Sequence, residues 1–251
     1  MLRIGQTVAD VSLKTTAGDF GVHEFFRGSW GLLVCYVNDF SAVCTDELSR
    51  LVKDFHEFES RGIKILAMSC DSIDSHIKWI EDIKKVSGMK FDEEFPFPIV
   101  SDRNRMISLY LNVLDAKCID EDGIPLPCRA AFVLAPDMTI QLIHFYPENI
   151  GRNFEYLSFL TCLKLLFDRN YFLLFSEIFR TIDALQLTFK FSNDLFTPCG
   201  WKPVMDCLAS PKITKDEIEK KFPTATVIEL PSGKDYMRIV SKTEFNRKYK
   251  K

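Results

Sequence analysis

Between Gly31 and Tyr146, short runs rich in branched and aromatic residues alternate with segments whose apolar residues recur at helical spacing. A chain with that alternation buries both patterns at once by laying helices on a central sheet, so βα units are predicted. The expected strands are Leu32–Val37, Ile63–Ser69, Pro98–Ser101, Arg129–Ala135 and Thr139–Phe145. Leu48, Leu51, Val52, Phe55 and Phe58 mark one helix face, and Ile73, Ile77, Ile80 and Ile83 mark another. The last two strands flank Ala135-Pro136-Asp137-Met138, a turn-like sequence, and are predicted to form a hairpin. The sheet is then mixed, not purely parallel.

A helix-compatible stretch from Phe154 to Phe191 ends at a break, Asn193–Trp201, which marks a candidate domain boundary. Beyond it a strand is predicted near Pro203–Cys207 and a helix over Thr214–Phe222, opened by Thr214 with Glu217 three residues on. Further strands are expected near Thr226–Glu229 and Tyr236–Val240. The tail is too short to be expected to build a stable core alone. Tyr156–Phe175 is apolar enough to raise a membrane span, but Lys164, Asp168 and Arg169 stand in its middle, where charge is costly. A buried or interface helix is the expectation there, without stable membrane insertion.

Hydrophobic residues make up 47% and charged residues 27% of the 251, enough to build a large core. The net charge of −3, with both signs interspersed, leaves no basic face for nucleic acid. MLRIGQTVADVSL lacks the pattern of a secretory signal, so a cytoplasmic location is expected. The eight cysteines form no CxxC pair and no Cys/His zinc spacing. In a reducing compartment most are expected to be buried thiols, with no metal and no other cofactor.

One segment carries chemistry: Val37-Asn38-Asp39-Phe40-Ser41-Ala42-Val43-Cys44-Thr45-Asp46-Glu47-Leu48, between an apolar strand and an amphipathic helix. Cys44 falls in the first helical turn, where unpaired N–H groups and the positive end of the helix dipole favour a thiolate over a thiol. From position alone it could equally be one more buried thiol among the eight.

Asp39–Leu48 resembles the peroxidatic-cysteine loop of peroxiredoxins, usually Pro-x-x-x-Thr/Ser-x-x-Cys. Further similarities keep the family's order: Trp79–Ile83, Pro98–Asp102, Cys128-Arg129, Tyr146-Pro147 and Gly151–Phe154. Leu185–Thr188, Thr197-Pro198 with Trp201, and Glu229–Lys234 resemble the one-cysteine branch. The resemblance implies a thioredoxin-like α/β fold over residues 1–190, a mixed sheet flanked by helices. It also implies a small α+β carboxy-terminal extension over 191–251 that serves homodimerisation. An apolar insertion of about 21 residues, near 156–176, interrupts the pattern.

The implied activity is reduction of hydrogen peroxide and organic hydroperoxides through Cys44, with an external thiol reductant such as glutathione or a thioredoxin-type protein. On this reading Ser41 hydrogen-bonds the peroxide and the Cys44 sulfur, Arg129 stabilises the thiolate, Glu47 orients Arg129, and Arg152 supports it. Two positions depart from the pattern. Val37 stands where the loop usually opens with proline, and Tyr36 where the branch commonly has histidine. A decayed site retained as a redox-sensing, binding or chaperone-like dimer is the alternative they motivate. Part of the branch is also an acyl hydrolase of phospholipase A2 type, whose set maps onto His23, Ser29 and Asp137. Its Gly-x-Ser-x-Gly motif reads Arg27-Gly28-Ser29-Trp30-Gly31 here. His56, His76 and His144 lack ligand spacing and are expected to be surface or packing residues.

Overall fold

A computed structural model of the chain describes residues 2–154 and 177–249, arranged as two compact units, 1–174 and 175–251. The sequence from Tyr156 to Ser176, with the expected insertion and most of the apolar helix, lies outside the described residues.

The first unit is built on a seven-stranded mixed sheet in the order β2-β1-β5-β4-β3-β8-β9. Its strands are β1 (Ser12–Thr15), β2 (Gly18–Gly21), β3 (Trp30–Cys35), β4 (Ile63–Ser69), β5 (Ile99–Ser101), β8 (Arg129–Leu134) and β9 (Ile140–Tyr146). β3, β4 and β5 run parallel, while β8 and β9 add as an antiparallel hairpin and β1 and β2 as another. β6 (Leu114–Ile119) and β7 (Pro125–Pro127) pair separately. The thioredoxin-like fold predicted from the sequence is present. The β1–β2 hairpin and the β6–β7 pair go beyond the expected strands, since all four are short and two of β7's three residues are proline, which reads as a break in a strand.

Among the described residues five helices accompany the sheet: α1 (Val22–Phe26), α2 (Ala42–Lys53), α3 (Phe55–Ser60), α4 (Ile73–Ser87) and α5 (Met106–Leu111). Every residue of β3 is buried, as expected of a central strand covered on both faces. Leu33 and Cys35 share one core with Leu66, Met68, Ala130, Phe132, Val22 and Phe26. Alternation turns Leu32, Val34, Ile65 and Ala67 to the opposite face, the side of Leu48 and Leu51 on α2 and Trp79 and Ile83 on α4. The buried face of α4 therefore differs from the predicted one: His76, Trp79, Ile80 and Ile83 are buried and Ile77 is 51% exposed. Counting apolar residues alone skipped the histidine that belongs to that stripe.

The β8–β9 turn is closed by Met138 in the left-handed region (φ 65°) and by Asp137, whose Oδ1 accepts from the Thr139 amide and hydroxyl. Ser72 caps α4 by accepting from the Ser75 amide, and Gly88 ends it at φ 81°.

The second unit contains α6 (Glu177–Lys190), α7 (Lys215–Lys221), α8 (Lys242–Tyr249) and a four-stranded antiparallel sheet ordered β10-β11-β13-β12. These strands are β10 (Leu195–Phe196), β11 (Cys207–Ala209), β12 (Thr226–Val227) and β13 (Arg238–Val240). Contrary to the expectation of a tail without a core, Leu187, Leu195, Trp201, Cys207, Ile218, Phe222 and Val240 belong to one buried cluster. The difference is α6, which precedes the Asn193–Trp201 break yet belongs to this unit and supplies Ala184 and Leu187. The strand expected at Pro203–Cys207 lies later, at Cys207–Ala209, and the Thr214–Glu217 capping box is present. Among the described residues no helix is long and apolar enough to cross a membrane.

Gly31 tests the packing behind β3. A Cβ there would stand 2.8 Å from the ring of Phe26, itself only 1% exposed and unable to swing away. Gly31→Ala is expected to destabilise the first unit by about 1–3 kcal/mol, the usual cost of overpacking, read as a lower denaturation midpoint. An unchanged midpoint would show that the Phe26 ring has room to move.

Candidate active site

β3 ends at Cys35, and the chain stays beside β4 for one more residue, the Tyr36 amide donating to the Met68 carbonyl at 3.0 Å. Val37–Phe40 then turns into α2, with Phe40 in the left-handed region (φ 56°). Ser41 is the extended N-cap, and the first helical bond runs from the Thr45 amide to the Ser41 carbonyl at 2.8 Å. Cys44 is therefore in the opening turn of α2, among the amides a helix start leaves without intrahelical partners. It has no exposed surface.

Arg129, the first residue of β8, reaches Cys44 Sγ with Nη1 at 3.2 Å. The same nitrogen donates to Glu47 Oε2 at 2.9 Å, and Nε donates to the Glu148 carbonyl at 2.6 Å. Glu47 lies one turn beyond Cys44 on α2 and is 1% exposed. Its Oε1 accepts from the Arg152 amide (2.6 Å) and Nε (3.0 Å), and its Oε2 accepts from Arg152 Nη2 (2.8 Å). Arg152 Nη1 also donates to the carbonyls of Cys35 (3.0 Å) and Ala130 (2.6 Å). Two guanidiniums and one carboxylate leave this buried cluster with one positive charge in excess. A negative charge at the neighbouring sulfur would balance it.

Arg129, Glu47, Arg152 and Cys44 are thus brought together. Arg152 makes no hydrogen bond to Cys44 or to the Arg129 guanidinium among the described residues and shares Glu47 with Arg129. The half-buried Ser41, expected to bond the sulfur, does not: among the described residues Arg129 alone donates to Sγ. As N-cap, Ser41 offers its carbonyl to the amide and hydroxyl of Thr45 (both 2.8 Å), and its hydroxyl takes no cap bond. Val37 is buried directly after β3, and its amide makes no hydrogen bond among the described residues.

His23, Ser29 and Asp137 form no triad. His23 Nε2 is engaged by the Val8 carbonyl at 2.7 Å, Asp137 serves the β8–β9 turn, and no hydrogen bond joins Ser29 to either. The close approach of Phe26 accounts for the second glycine of that segment as packing. Of the other histidines, His56 is exposed beside Glu57, whereas His76 is fully buried against Asp39 with Nδ1–Oδ2 at 2.8 Å. The Asp39–His76 pair had no signal in the sequence, because its members lie on different elements and form no local pattern.

Five other described thiols lie in a different setting. Burial pushes Cys70 up to about 11 and Cys207 to about 12, and raises Cys35 and Cys128 as well. Cys118 is pushed up to about 12 by burial and then by its 2.8 Å contact with the Glu148 carboxylate. They stay protonated at neutral pH. Among the described residues no three His, Cys, Asp or Glu side chains are grouped to hold a metal ion.

Residues 4–143 match the AhpC/TSA family. Human peroxiredoxin-6 is 36% identical over 238 residues, covering 94% of this chain and 96% of the relative. The chain belongs to the peroxiredoxin family. Rat peroxiredoxin-6 is 35% identical over the same shares of the two chains. Among solved structures, a cysteine-to-serine mutant of peroxiredoxin 6 of Arenicola marina superposes with a TM-score of 0.84 at 33% identity, covering 96% of this chain and 99% of that one. A yeast mitochondrial 1-Cys peroxiredoxin gives 0.77 at 32% identity, covering 96% and 100%. These relatives place the peroxiredoxin in the one-cysteine branch and make it a thiol peroxidase.

Replacing Glu47 by Gln strands two buried guanidiniums without a counter-charge. Glu47→Gln is expected to cost about 3 kcal/mol or more, since breaking one partner out of a buried ion cluster is far worse than losing a surface pair. Chemical denaturation measures this, and a loss below about 1 kcal/mol, the worth of a surface pair, would show the carboxylate to be expendable.

Proposed function

We propose that Cys44 is the atom-transfer site of this thiol peroxidase. The observation that carries the reading is the 3.2 Å contact from Arg129 Nη1 to Cys44 Sγ at the start of α2. The Cys44 thiolate attacks one oxygen of hydrogen peroxide or an organic hydroperoxide, the O–O bond breaks, and the departing oxygen takes a proton to leave as water or alcohol. Cys44 is left as a sulfenic acid. Arg129 holds the thiolate and the developing oxygen charge with its fork of donors, Glu47 sets the plane of that fork, and Arg152 anchors Glu47. The Ser41 hydroxyl, without a hydrogen bond among the described residues, is left to bond the peroxide.

An external thiol then condenses with the sulfenic acid, releasing water, and a second thiol frees Cys44. The yeast mitochondrial 1-Cys peroxiredoxin is resolved via glutathione/thioredoxin systems, which supports glutathione or a thioredoxin-type protein in this role. The seven described cysteines are all free thiols, in keeping with a reducing compartment such as the cytoplasm. A homodimer completes the proposal, with the carboxy-terminal extension in the interface. A second surface that suits it is the sheet edge at β9, where Phe145 is 53% exposed.

Cys44→Ser is expected to abolish peroxide consumption in a folded protein, and Arg129→Met to slow it about 10²-fold, the usual loss for one preorganised donor. Stopped-flow measurement of peroxide consumption decides both, and turnover at the native rate in Cys44→Ser would refute the assignment. Val37→Pro removes no hydrogen bond among the described residues and stiffens the loop. It is expected to raise the rate with hydrogen peroxide about two- to fivefold, in line with the ~0.4–1 kcal/mol such substitutions are worth.

A further inference from the structure

The loop before Cys44 and the helix after it are both held from α4. Asp39, 5% exposed, belongs to a buried network. Its carboxylate accepts from His76 Nδ1 (Oδ2 2.8 Å, Oδ1 3.0 Å) and from the Tyr36 hydroxyl (Oδ1 2.8 Å). His76 Nε2 lies 3.2 Å from the Val100 carbonyl, so both ring nitrogens face oxygen atoms. The Asp39 amide is held in turn by Asp71 Oδ2 at 2.9 Å, itself bonded by the Ser69 hydroxyl at 2.8 Å. One turn beyond His76, Trp79 Nε1 donates to Thr45 Oγ1 at 3.0 Å, and that hydroxyl donates to the Ser41 carbonyl at 2.8 Å. The Tyr36 and Trp79 rings lie 5.2 Å apart between these two grips. Nothing else in the loop has such fixings: Val37 lacks the proline ring, and Phe40 is 58% exposed.

We propose that His76, acting through Asp39, is a positioning residue for the peroxidase reaction: it holds the Asp39–Ser41 loop in the shape that presents Cys44 and Ser41 to a peroxide. The inference rests on Cys44 being the oxidised residue. In this chain the side-chain network supplies stiffness that the missing proline would otherwise give to the backbone, and Tyr36 is part of it. His76 touches neither the sulfur nor the peroxide. Its removal therefore disturbs the reaction that needs pocket geometry and spares one that needs only a nucleophilic, reachable sulfur.

The experiment compares two reactions of the same thiol in the full-length protein: oxidation of Cys44 by hydrogen peroxide and its alkylation by iodoacetamide, each followed by mass spectrometry. His76→Leu is expected to slow oxidation about tenfold or more, with alkylation as fast as in the native protein or faster. His76→Asn, which can place an N–H near the position of Nδ1, is expected to recover most of the oxidation rate. Tyr36→Phe keeps the ring and one of the two grips on Asp39, and should slow oxidation by about two- to fivefold, the loss of one ordinary hydrogen bond. It serves as the test if His76→Leu does not fold. Oxidation unchanged in a folded His76→Leu protein, or in Tyr36→Phe if the leucine variant fails to fold, overturns the inference. Oxidation and alkylation falling in proportion overturn it too, since the histidine would then act on the thiol or the fold at large. If peroxide leaves Cys44 of the native protein unmodified, the reading of the site fails, and this inference with it.

Discussion

Glu47 is the group on which the rest of the structure turns. A carboxylate with 1% exposure is tolerable only when every lone pair is met, and here donors from Arg129 and Arg152 meet all of them. Those donors come from the start of β8 and from the segment after β9, so the charge on α2 draws three parts of the chain to one point. The arrangement is demanding in both directions. Without the glutamate the arginines are unpaired, and without either arginine the glutamate is. One positive charge is left in excess beside the Cys44 sulfur.

Much of this was legible beforehand. β4 appeared at its predicted limits, and β3, β5, β8 and β9 lay within two residues of theirs, because branched residues in a doubly covered sheet make near-continuous apolar runs. The cluster of Cys44, Glu47, Arg129 and Arg152 was named from a resemblance, since Glu47 and Arg152 are 105 positions apart and no periodicity connects them. What escaped notice was of two kinds. Short polar strands such as Gly18–Gly21 carry no pattern strong enough to read. Buried polar pairs such as Asp39 and His76 look like surface residues in a sequence, since burial is a property of the assembled core.

The hydrolase set fails for a related reason. His23 and Asp137 each hold a hydrogen bond with a structural purpose, one to the Val8 carbonyl and the other closing a turn. Residue types matching a motif say little once their donors and acceptors are committed elsewhere. Ser41 is the contrasting case: its carbonyl is committed to α2 while its hydroxyl has no hydrogen bond among the described residues.

Arg152 has one further significance. Its Nη1 bridges the carbonyls of Cys35 and Ala130, the partners that form the last rung between β3 and β8. One guanidinium thus serves both as a counter-charge to Glu47 and as a rung of the central ladder. Fraying at this end of the sheet would pull on the same side chain that holds the buried carboxylate.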